Sequence, residues 1–443
     1  MTKKISLFLI SAVLVLPITL ITGPAIPDIT ITISGIFFLF LSYFNLSEKR
    51  VLKEKIFIYS VFFWICLNFI SLFAENILIS LVDSLIFIRI LIIPIFLYYW
   101  VFSDLKNLEK VISIIFFTVI FVCIDSLYQF TQYDPLTGFG KDLLGFSSNW
   151  YGRLTGPFYN ELIPGAYVSK LGLIGLIYLF LKVKNLLYQN LYSIIYLTLI
   201  GVITFISGER MALATFLLGL FFLFIFYNKK RLVFFYSIIF IILLNLIIYK
   251  SHPIYNDFKI LKSSPDHLGL VVEKNFDCIK EEIKTKCNKI INLQPSFFEI
   301  ITNFDKSAYG KIYYLSWKMF LDHKITGIGL NNFNYLCNKD NHYKLESEKI
   351  DCKSHPHNIY IQWLVETGIT GTIIFIVYLI LIINLIIKNS NTYNKLYLIS
   401  LSSIIIIFWP IMSTGSLLKN WNGVSVFFII GVCLALNKLK YRI

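Results

Sequence analysis

Charged residues are scarce in this sequence, and their scarcity excludes an ordinary soluble enzyme. Of the 443 residues, 15% are Asp, Glu, Lys or Arg, whereas soluble domains carry about 25%. Hydrophobic residues make up 57% of the chain, and the mean hydropathy is +0.71. A disordered chain could not expose so much apolar surface to water. The composition therefore indicates a polytopic membrane protein.

Several motifs of known chemistry are also missing from the sequence. There is no Walker A glycine loop, so direct use of ATP is not expected. The sequence has no Gly-x-Ser-x-Gly nucleophile elbow, and no Asp-x-Asp pair for a metal-bound nucleotide sugar on the outer side. Its histidines nowhere have the His-x-x-x-His spacing of a helix-borne metal site. We therefore expect no metal and no cofactor.

Long apolar stretches are abundant, and each is a candidate membrane span. A bilayer core requires about 20 mostly apolar residues per helix. Twelve stretches qualify: 5–22, 29–46, 56–74, 80–102, 110–130, 162–181, 188–206, 211–227, 232–249, 370–387, 396–412 and 422–437. The predicted fold class is thus all-α, with about twelve transmembrane helices. The first stretch could instead be a cleavable signal peptide, but the second follows almost at once, which favours an uncleaved helix.

Basic residues in the short connections predict the orientation of the chain, because cytoplasmic loops are enriched in Lys and Arg. The predicted cytoplasmic set is Lys3, Lys4, Lys49, Arg50, Lys53, Lys55, Lys106, Lys110, Lys182, Lys184, Lys229, Lys230, Arg231, Lys388, Lys395, Lys438, Lys440 and Arg442. Both termini are therefore expected inside the cell. This set accounts for the net charge of +14, so the charge implies no nucleic-acid partner.

Two outer connections are too long to be simple turns. One covers about 131–161 and the other about 251–369, between spans 9 and 10. The chain is thus predicted to divide into a nine-helix membrane portion (1–250), a loop domain (251–369) and a three-helix membrane portion (370–443). Helix-like stretches near 270–290 and 306–322 predict a mostly helical loop domain.

Four cysteines fall in this loop domain, where an oxidising environment favours disulfides. They are Cys278, Cys287, Cys337 and Cys352. Proximity along the chain favours the pairs Cys278–Cys287 and Cys337–Cys352. Other pairings, four free thiols or a metal site remain open as alternatives.

His357 is the strongest candidate for a catalytic base. All six histidines lie between residues 252 and 357, and Ser354-His355-Pro356-His357-Asn358 precedes a predicted short helix that Gly368 ends. Ser354 or His355 could cap this helix. A helix N-terminus disfavours an imidazolium, which suits a neutral base. His357 could equally be a residue that caps the helix.

Three arginines could bind a substrate anion. Arg210 follows Ser207-Gly208-Glu209 at the junction of two spans, where an arginine is expensive and its planar fork suits a diphosphate. The alternatives are a local pair with Glu209 and a side chain that reaches lipid phosphates. Arg89 lies within a span, where it could pair with Asp83 or Asp125. Arg153, in the shorter outer connection, could simply face solvent.

The order of these motifs resembles the bacterial O-antigen ligase and polymerase superfamily. His357-Asn358, nine residues, then Gly368-x-x-Gly371 is similar to that family's H-N-x9-G-x-x-G signature. Further similar segments are Thr22-Gly23-Pro24 through Asp28, Arg153-Leu154-Thr155-Gly156, Ser207 to Arg210, and the turn from Gly327 and Gly329 to Phe333. The resemblance covers nearly the whole chain.

The resemblance implies a GT-C-like membrane glycosyltransferase in the bacterial inner membrane, with its active face in the periplasm. Members transfer a glycan from an undecaprenyl-diphosphate carrier, without a metal, and ligases use lipid A–core oligosaccharide as acceptor. It implies that His357 takes the proton of the acceptor hydroxyl and that Arg210 binds the diphosphate. The family's second arginine, from the large loop, is missing here, and Lys306 or Lys311 could replace it as a point charge.

Two other functions compete with a ligase. A polymerase of the same superfamily would join carrier-linked repeat units. A lipid-linked glycan flippase or secondary transporter would need ionisable groups near the bilayer midplane, whereas the candidate working groups gather at the outer face.

Overall fold

The computed structural model describes residues 2–44, 49–135, 137–256, 259–263, 270–280, 283–293, 297–339, 342–343, 352, 355–388 and 395–439. Most of these residues are helical. The helices are α1 (Thr2–Leu14), α2 (Leu16–Thr19), α3 (Ala25–Phe44), α4 (Lys55–Ser71), α5 (Ile77–Leu91), α6 (Ile93–Tyr99), α7 (Leu105–Thr131), α8 (Pro164–Lys182), α9 (Leu186–Ile206), α10 (Arg210–Phe226), α11 (Arg231–Ser251), α12 (Pro253–Asn256), α13 (Phe297–Thr302), α14 (Ala308–Asp322), α15 (Phe333–Lys339), α16 (Ile359–Lys388), α17 (Leu396–Phe408) and α18 (Asn420–Leu436).

A helix lies at each of the twelve predicted spans, and seven are long and apolar enough to cross a membrane by length and composition. This confirms a mostly helical, multi-pass membrane protein, while the number of spans stays a prediction. The predicted span 80–102 consists of α5 and α6, with Pro94 in the first turn of α6. Proline lacks a backbone N–H, but N–H groups in a helix's first turn have no intrahelical acceptor in any case. The proline therefore removes no helical hydrogen bond there.

Both long connections lie on the same side of the bundle, which we call the loop face. One joins α7 to α8, and the other joins α11 to α16. Helices α8, α10, α16 and α18 begin at this face, so their N-terminal residues surround the connections. The deepest part of the bundle core lies behind them, around α8, which is the most completely enclosed of the seven long apolar helices.

The helix predicted near 270–290 is wrong, because this stretch forms a β-hairpin. The strands are β3 (Lys259–Ser263), β4 (Leu270–Lys280) and β5 (Ile283–Leu293), in an antiparallel sheet of order β3-β4-β5, and a small pair β1 (Tyr133–Asp134) and β2 (Gly138–Phe139) lies in the shorter connection. Valine, isoleucine and threonine favour strands, and both hairpin strands contain them. The helix predicted near 306–322 is confirmed as α14.

A buried lysine attaches this sheet to the bundle. Lys274 on β4 is 1% exposed and donates to the Tyr133 hydroxyl at 2.9 Å and to the Pro253 carbonyl oxygen at 3.0 Å. Its ammonium group also lies 5.5 Å from the centre of the Tyr133 ring. Because a buried ammonium needs such partners, the contact fixes the sheet against the shorter connection.

The rest of the long connection has its own small hydrophobic core. Met319 of α14, Ile328 and Phe333 pack there with Val365 of α16. The predicted disulfide Cys337–Cys352 closes one side of this core and is confirmed. Cys287 is also disulfide-bonded; the side chain of Cys278, on the facing strand, lies outside the described residues.

Two glycine turns meet by backbone contact at a break inside α16. Gly368 interrupts the helix with φ 63° and ψ −167°, a conformation that essentially only glycine adopts. A Cβ on Gly368 would lie 2.3 Å from the Ile325 carbonyl oxygen, and one on Gly327 would lie 2.5 Å from backbone atoms of 366–368. Backbone hydrogen bonds, including Gly329 N–H to the Glu366 carbonyl oxygen at 2.9 Å, join the two turns. A Cβ on Gly371 would meet the Thr367 side chain.

We expect Gly368→Ala to lower the free energy of unfolding by about 3 kcal/mol or more, because the methyl group would collide with backbone that cannot move aside. The matched control is Gly145→Ala. Gly145 also has a positive φ of 90°, but a Cβ there would have nothing within 4 Å. It should cost about 1 kcal/mol through φ alone. Thermal unfolding in detergent measures both, and equal losses would contradict the proposed collision.

Candidate functional site

His357 lies at the loop face, directly before α16, in a strained backbone conformation. Its φ of 58° is unusual for a residue with a large side chain. The carbonyl oxygen of His357 accepts a hydrogen bond from the Thr414 N–H at 2.7 Å. The imidazole meets the Tyr309 ring edge-on, with centroids 5.9 Å apart, and the His355 ring at 4.3 Å. The surroundings therefore hold the histidine in an orientation that it would not adopt alone.

Asn358 fixes the end of α16 that carries this histidine. Its Oδ1 accepts from the N–H groups of Tyr360 and Ile361 at 2.9 and 3.1 Å, which is a helix cap. Its Nδ2 donates to the carbonyl oxygens of Pro410 and Met412. The cap is thus Asn358, where the sequence suggested Ser354 or His355, and His357 is not needed as a cap. Ser354 lies outside the described residues.

His355 supports the same junction as a neutral side chain. It is 8% exposed, and its Nε2 lies 3.3 Å from the Thr414 carbonyl oxygen. Burial, with smaller effects of the neighbouring His357 and Lys419, lowers the pKa of His355 to about 4, against the effect of the Thr414 carbonyl. His355 is therefore uncharged at neutral pH and does not repel a proton from His357.

Arg210 begins α10 beside a second arginine. The ionisable side chains that act electrostatically on Arg210 include Arg153, Tyr309 and Glu299. Arg153 donates from Nε to the Ser207 carbonyl oxygen at 3.1 Å, and its stem packs against Gly208. Two guanidinium groups held this close repel each other, and an anion between them would relieve the repulsion.

Glu209 does not neutralise this arginine pair directly. Its two carboxylate oxygens accept from the N–H groups of Gly165 and Ala166 at 2.6 and 3.0 Å, in the first turn of α8. Burial raises the pKa of the Glu209 carboxyl to about 7, while Arg153 and the two N–H groups act in the opposite direction. Among the described residues, no carboxylate forms an ion pair with Arg210 or Arg153. The alternative of a local Glu209–Arg210 pair is therefore not supported.

Tyr309 connects the arginine pair with the histidine. It lies in the first turn of α14, which Ser307 caps by accepting from the Gly310 N–H at 2.9 Å. Its ring contacts His357, and its hydroxyl acts electrostatically on Arg210. Lys311 follows two positions later, and so points to nearly the opposite side of the helix from Tyr309. Lys306 is exposed in the short 3₁₀ helix before α14.

Arg89 belongs to a different part of the molecule. Its Nη1 lies 2.7 Å from Asp28 Oδ2, and its Nη2 donates to Asn420 Oδ1 at 2.9 Å. Asn420 in turn donates to Asp28 at 3.2 Å, so the three side chains join α3, α5 and α18. Of the two partners that the sequence suggested, Asp83 feels the charge of Arg89 at a distance, but the direct ion pair is with Asp28 and not with Asp83 or Asp125. The contacts of Arg89 are those of a structural ion pair.

Sequence reasoning missed Lys170, a half-buried lysine within α8. Its Nζ donates to Asn422 Oδ1 at 2.8 Å, and its charge acts on Glu209. Asn422 donates to the carbonyl oxygens of Gly415 and Ser416, in the segment whose Thr414 holds His357. A lysine in the middle of an apolar stretch was the available signal. Lys170 thus acts on Glu209, next to Arg210, and contacts Asn422, which binds the segment that holds His357.

Tyr309 was also missed as a neighbour of the site, because no spacing pattern singles it out. Among the described residues, no group of three or more His, Cys, Asp or Glu side chains is arranged to hold a metal ion.

Comparison with known proteins supports the resemblance. Residues 195–376 match the family model described as O-antigen ligase, which confirms the similarity to the O-antigen ligase and polymerase superfamily. The matched region runs from α9 to α16 and contains Arg210, Tyr309, His357 and both glycines of the signature. Arg153 and Lys170 lie outside it. No curated protein matches the chain. The match supports, in general terms, a membrane glycosyltransferase of the ligase or polymerase type.

We expect Lys170→Met to lower the free energy of unfolding by about 2 kcal/mol, because Asn422 loses its donor and Glu209 loses a nearby cation. The matched control on the same helix is Lys182→Met, whose exposed pair with Glu109 at 3.7 Å should contribute less than about 0.5 kcal/mol. Thermal unfolding in detergent compares them. A loss for Lys170→Met no larger than for Lys182→Met would refute the supporting role.

Proposed function

We propose that the protein transfers a glycan from an undecaprenyl-diphosphate carrier to a hydroxyl of lipid A–core oligosaccharide. The observation that carries this proposal is the arginine pair Arg153 and Arg210, connected through Tyr309 to His357. A diphosphate would neutralise the pair, and a neutral imidazole nearby would accept a proton. The family match supports the general class of reaction.

In this mechanism, His357 removes the proton of the acceptor hydroxyl as its oxygen attacks the anomeric carbon. The bond from that carbon to the diphosphate oxygen breaks, and the configuration inverts. Arg153 and Arg210 stabilise the negative charge that develops on the departing undecaprenyl diphosphate. Tyr309 separates the two centres and keeps the imidazole oriented. The proposed reaction uses no metal.

The architecture that accompanies this function is also a proposal. The protein would have a GT-C-like fold of about twelve spans in the bacterial inner membrane. Both termini would be cytoplasmic, and the loop face periplasmic. The proposed domain division stays 1–250, 251–369 and 370–443. The positive-inside pattern of the short connections supports this orientation.

Within the superfamily, a polymerase that joins carrier-linked repeat units is the second candidate. Deletion of the gene separates the two. Loss of a ligase leaves core-only lipopolysaccharide and carrier-bound polymer, whereas loss of a polymerase leaves a single repeat attached to core. A flippase or secondary transporter is a more distant alternative, and transfer by purified protein in detergent would exclude it.

His357→Ala should abolish attachment of polymer to core, because general-base catalysis contributes about 100-fold or more. The test expresses the variant in cells that lack the native enzyme and resolves their lipopolysaccharide on gels. His342→Ala is the matched control, since His342 is exposed and lies near Asp322. Fully glycosylated lipopolysaccharide from a normally expressed His357→Ala variant would overturn the assigned role.

Arg153→Ala and Arg210→Ala should each lower the transfer rate by about 100-fold, because each removes charge stabilisation from the leaving group. Lysine at either position should restore part of the rate, since it returns the charge without the fork. Lys306→Ala and Lys311→Ala are the comparison variants. A large loss for a lysine variant, with Arg153→Ala unaffected, would move the second cation from Arg153 to that lysine.

A further inference from the structure

One face of α14 is apolar and exposed, although the helix lies in a connection outside the bundle. Gly310, Ile312, Leu315, Ser316, Met319 and Phe320 form its buried face. On the opposite face, Tyr314, Trp317 and Leu321 are 54%, 52% and 44% exposed. Their spacing of three and four residues places them in one stripe along the helix. Ile325, 73% exposed, follows directly after the helix. We call these four residues the α14 stripe.

Both ends of α14 are attached to helices that begin at the loop face. At its N-terminus, Tyr309 lies beside Arg210 and His357, where α10 and α16 begin. After its C-terminus, the carbonyl oxygens of Lys324 and Ile325 accept from the N–H groups of Ile369 and Thr370 at 2.9 and 3.3 Å, directly after the break in α16 at Gly368. Since both ends are held in this way, the helix lies across the loop face.

The α14 stripe ends beside a lipid-facing surface. Beyond Gly368, the exposed apolar side chains of α16 include Ile369, Ile373, Ile376, Val377 and Ile380, and α16 is one of the seven long apolar helices. The backbone of Lys324 and Ile325 is hydrogen-bonded to that of Ile369 and Thr370, where this surface begins. The exposed apolar side chains of a membrane helix therefore start beside the end of α14.

The chemistry of the α14 stripe also suits the boundary between lipid headgroups and acyl chains. Tryptophan and tyrosine are enriched there because one end of each ring is apolar and the other is polar. Lys318 lies with its ammonium group 4.8 Å from the Tyr314 ring, and Lys324 is exposed beside Ile325. Lysines at such a boundary can reach lipid phosphates while their stems cover apolar surface.

We propose that the α14 stripe contacts phospholipid, so that α14 is an interfacial helix embedded in the membrane leaflet at the loop face. The same helix carries Tyr309, so its depth in the leaflet fixes the depth of the site. This inference concerns membrane contact and does not depend on the reaction that the site catalyses.

The test measures the depth of Trp317 in the intact protein. Wild type and Trp317→Phe are reconstituted into bilayers of phosphatidylcholine, with and without brominated acyl chains, and their difference spectrum isolates the emission of Trp317. Brominated lipid should quench this emission at least about twofold more than aqueous iodide does, because the ring lies among lipid. Trp317→Phe keeps an apolar aromatic side chain, so the fold should persist.

Trp150 is the matched control, because its exposure of 53% equals that of Trp317 within one percentage point. It precedes Tyr151, whose ring makes cation–π contacts with Lys274 and Lys289 of the hairpin, so Trp150 lies beside the hairpin. Its emission, isolated with Trp150→Phe, should be quenched more by iodide than by brominated lipid. If Trp317 emission is quenched more by iodide, or by neither agent, the α14 stripe faces water or another protein and the proposal is overturned. No substrate is present, so this outcome is independent of the transfer assays.

Discussion

The position of His357 depends on backbone contacts that hold the start of α16 from two sides. On one side, the Thr414 N–H binds the His357 carbonyl oxygen, while Asn358 joins the helix cap to the segment before α18. On the other side, the turn at Gly327 packs directly against the break at Gly368. The contact between the two glycines leaves no room for a side chain. The segment of α16 between His357 and Gly368 is therefore fixed at both of its ends. The strained φ of His357 persists because its neighbours determine it from both directions.

Two arginines act on each other in the candidate site, and this is the arrangement from which anion binding is proposed. Arg153 and Arg210 act on each other, and Glu209, the nearest carboxylate in sequence, accepts from two N–H groups of α8. Both carboxylate oxygens of Glu209 are therefore engaged at the helix N-terminus, and Arg153 and Arg210 form no ion pair with a carboxylate among the described residues. Donors fixed in this way need no rearrangement when charge develops on a leaving group, which is the most effective form of electrostatic stabilisation. Lys170 extends the same arrangement inward, since it connects Glu209 electrostatically with the Asn422 contacts beneath His357.

The sequence predicted what local patterns determine and missed what tertiary contacts decide. Apolar stretches located a helix at each of the twelve predicted spans, because a segment in a bilayer must satisfy its own backbone polar groups. Helix α14 and the disulfide Cys337–Cys352 followed from local pattern and proximity. The sequence predicts helix where the hairpin of β4 and β5 forms, because its lysines and acids resemble a solvated helix face and strand pairing is not visible in one segment. The partner of Arg89 was missed because Asp28 lies 61 residues away along the chain.

Because the large connection contains no arginine, it and the membrane portion contribute different side chains to the candidate site. The resemblance implied a second cation from the large connection, but here the side chain beside Arg210 is Arg153, from the shorter one. The large connection supplies Tyr309 instead, on a helix whose opposite face is apolar. Cations attached to the bundle keep a fixed geometry, because helix starts and a carbonyl contact hold them. In the proposed mechanism, these cations would bind the diphosphate, and the aromatic residue on α14 would set their distance from the histidine. The membrane portion would then provide the charges, and the large connection would determine how far they lie from the proposed base.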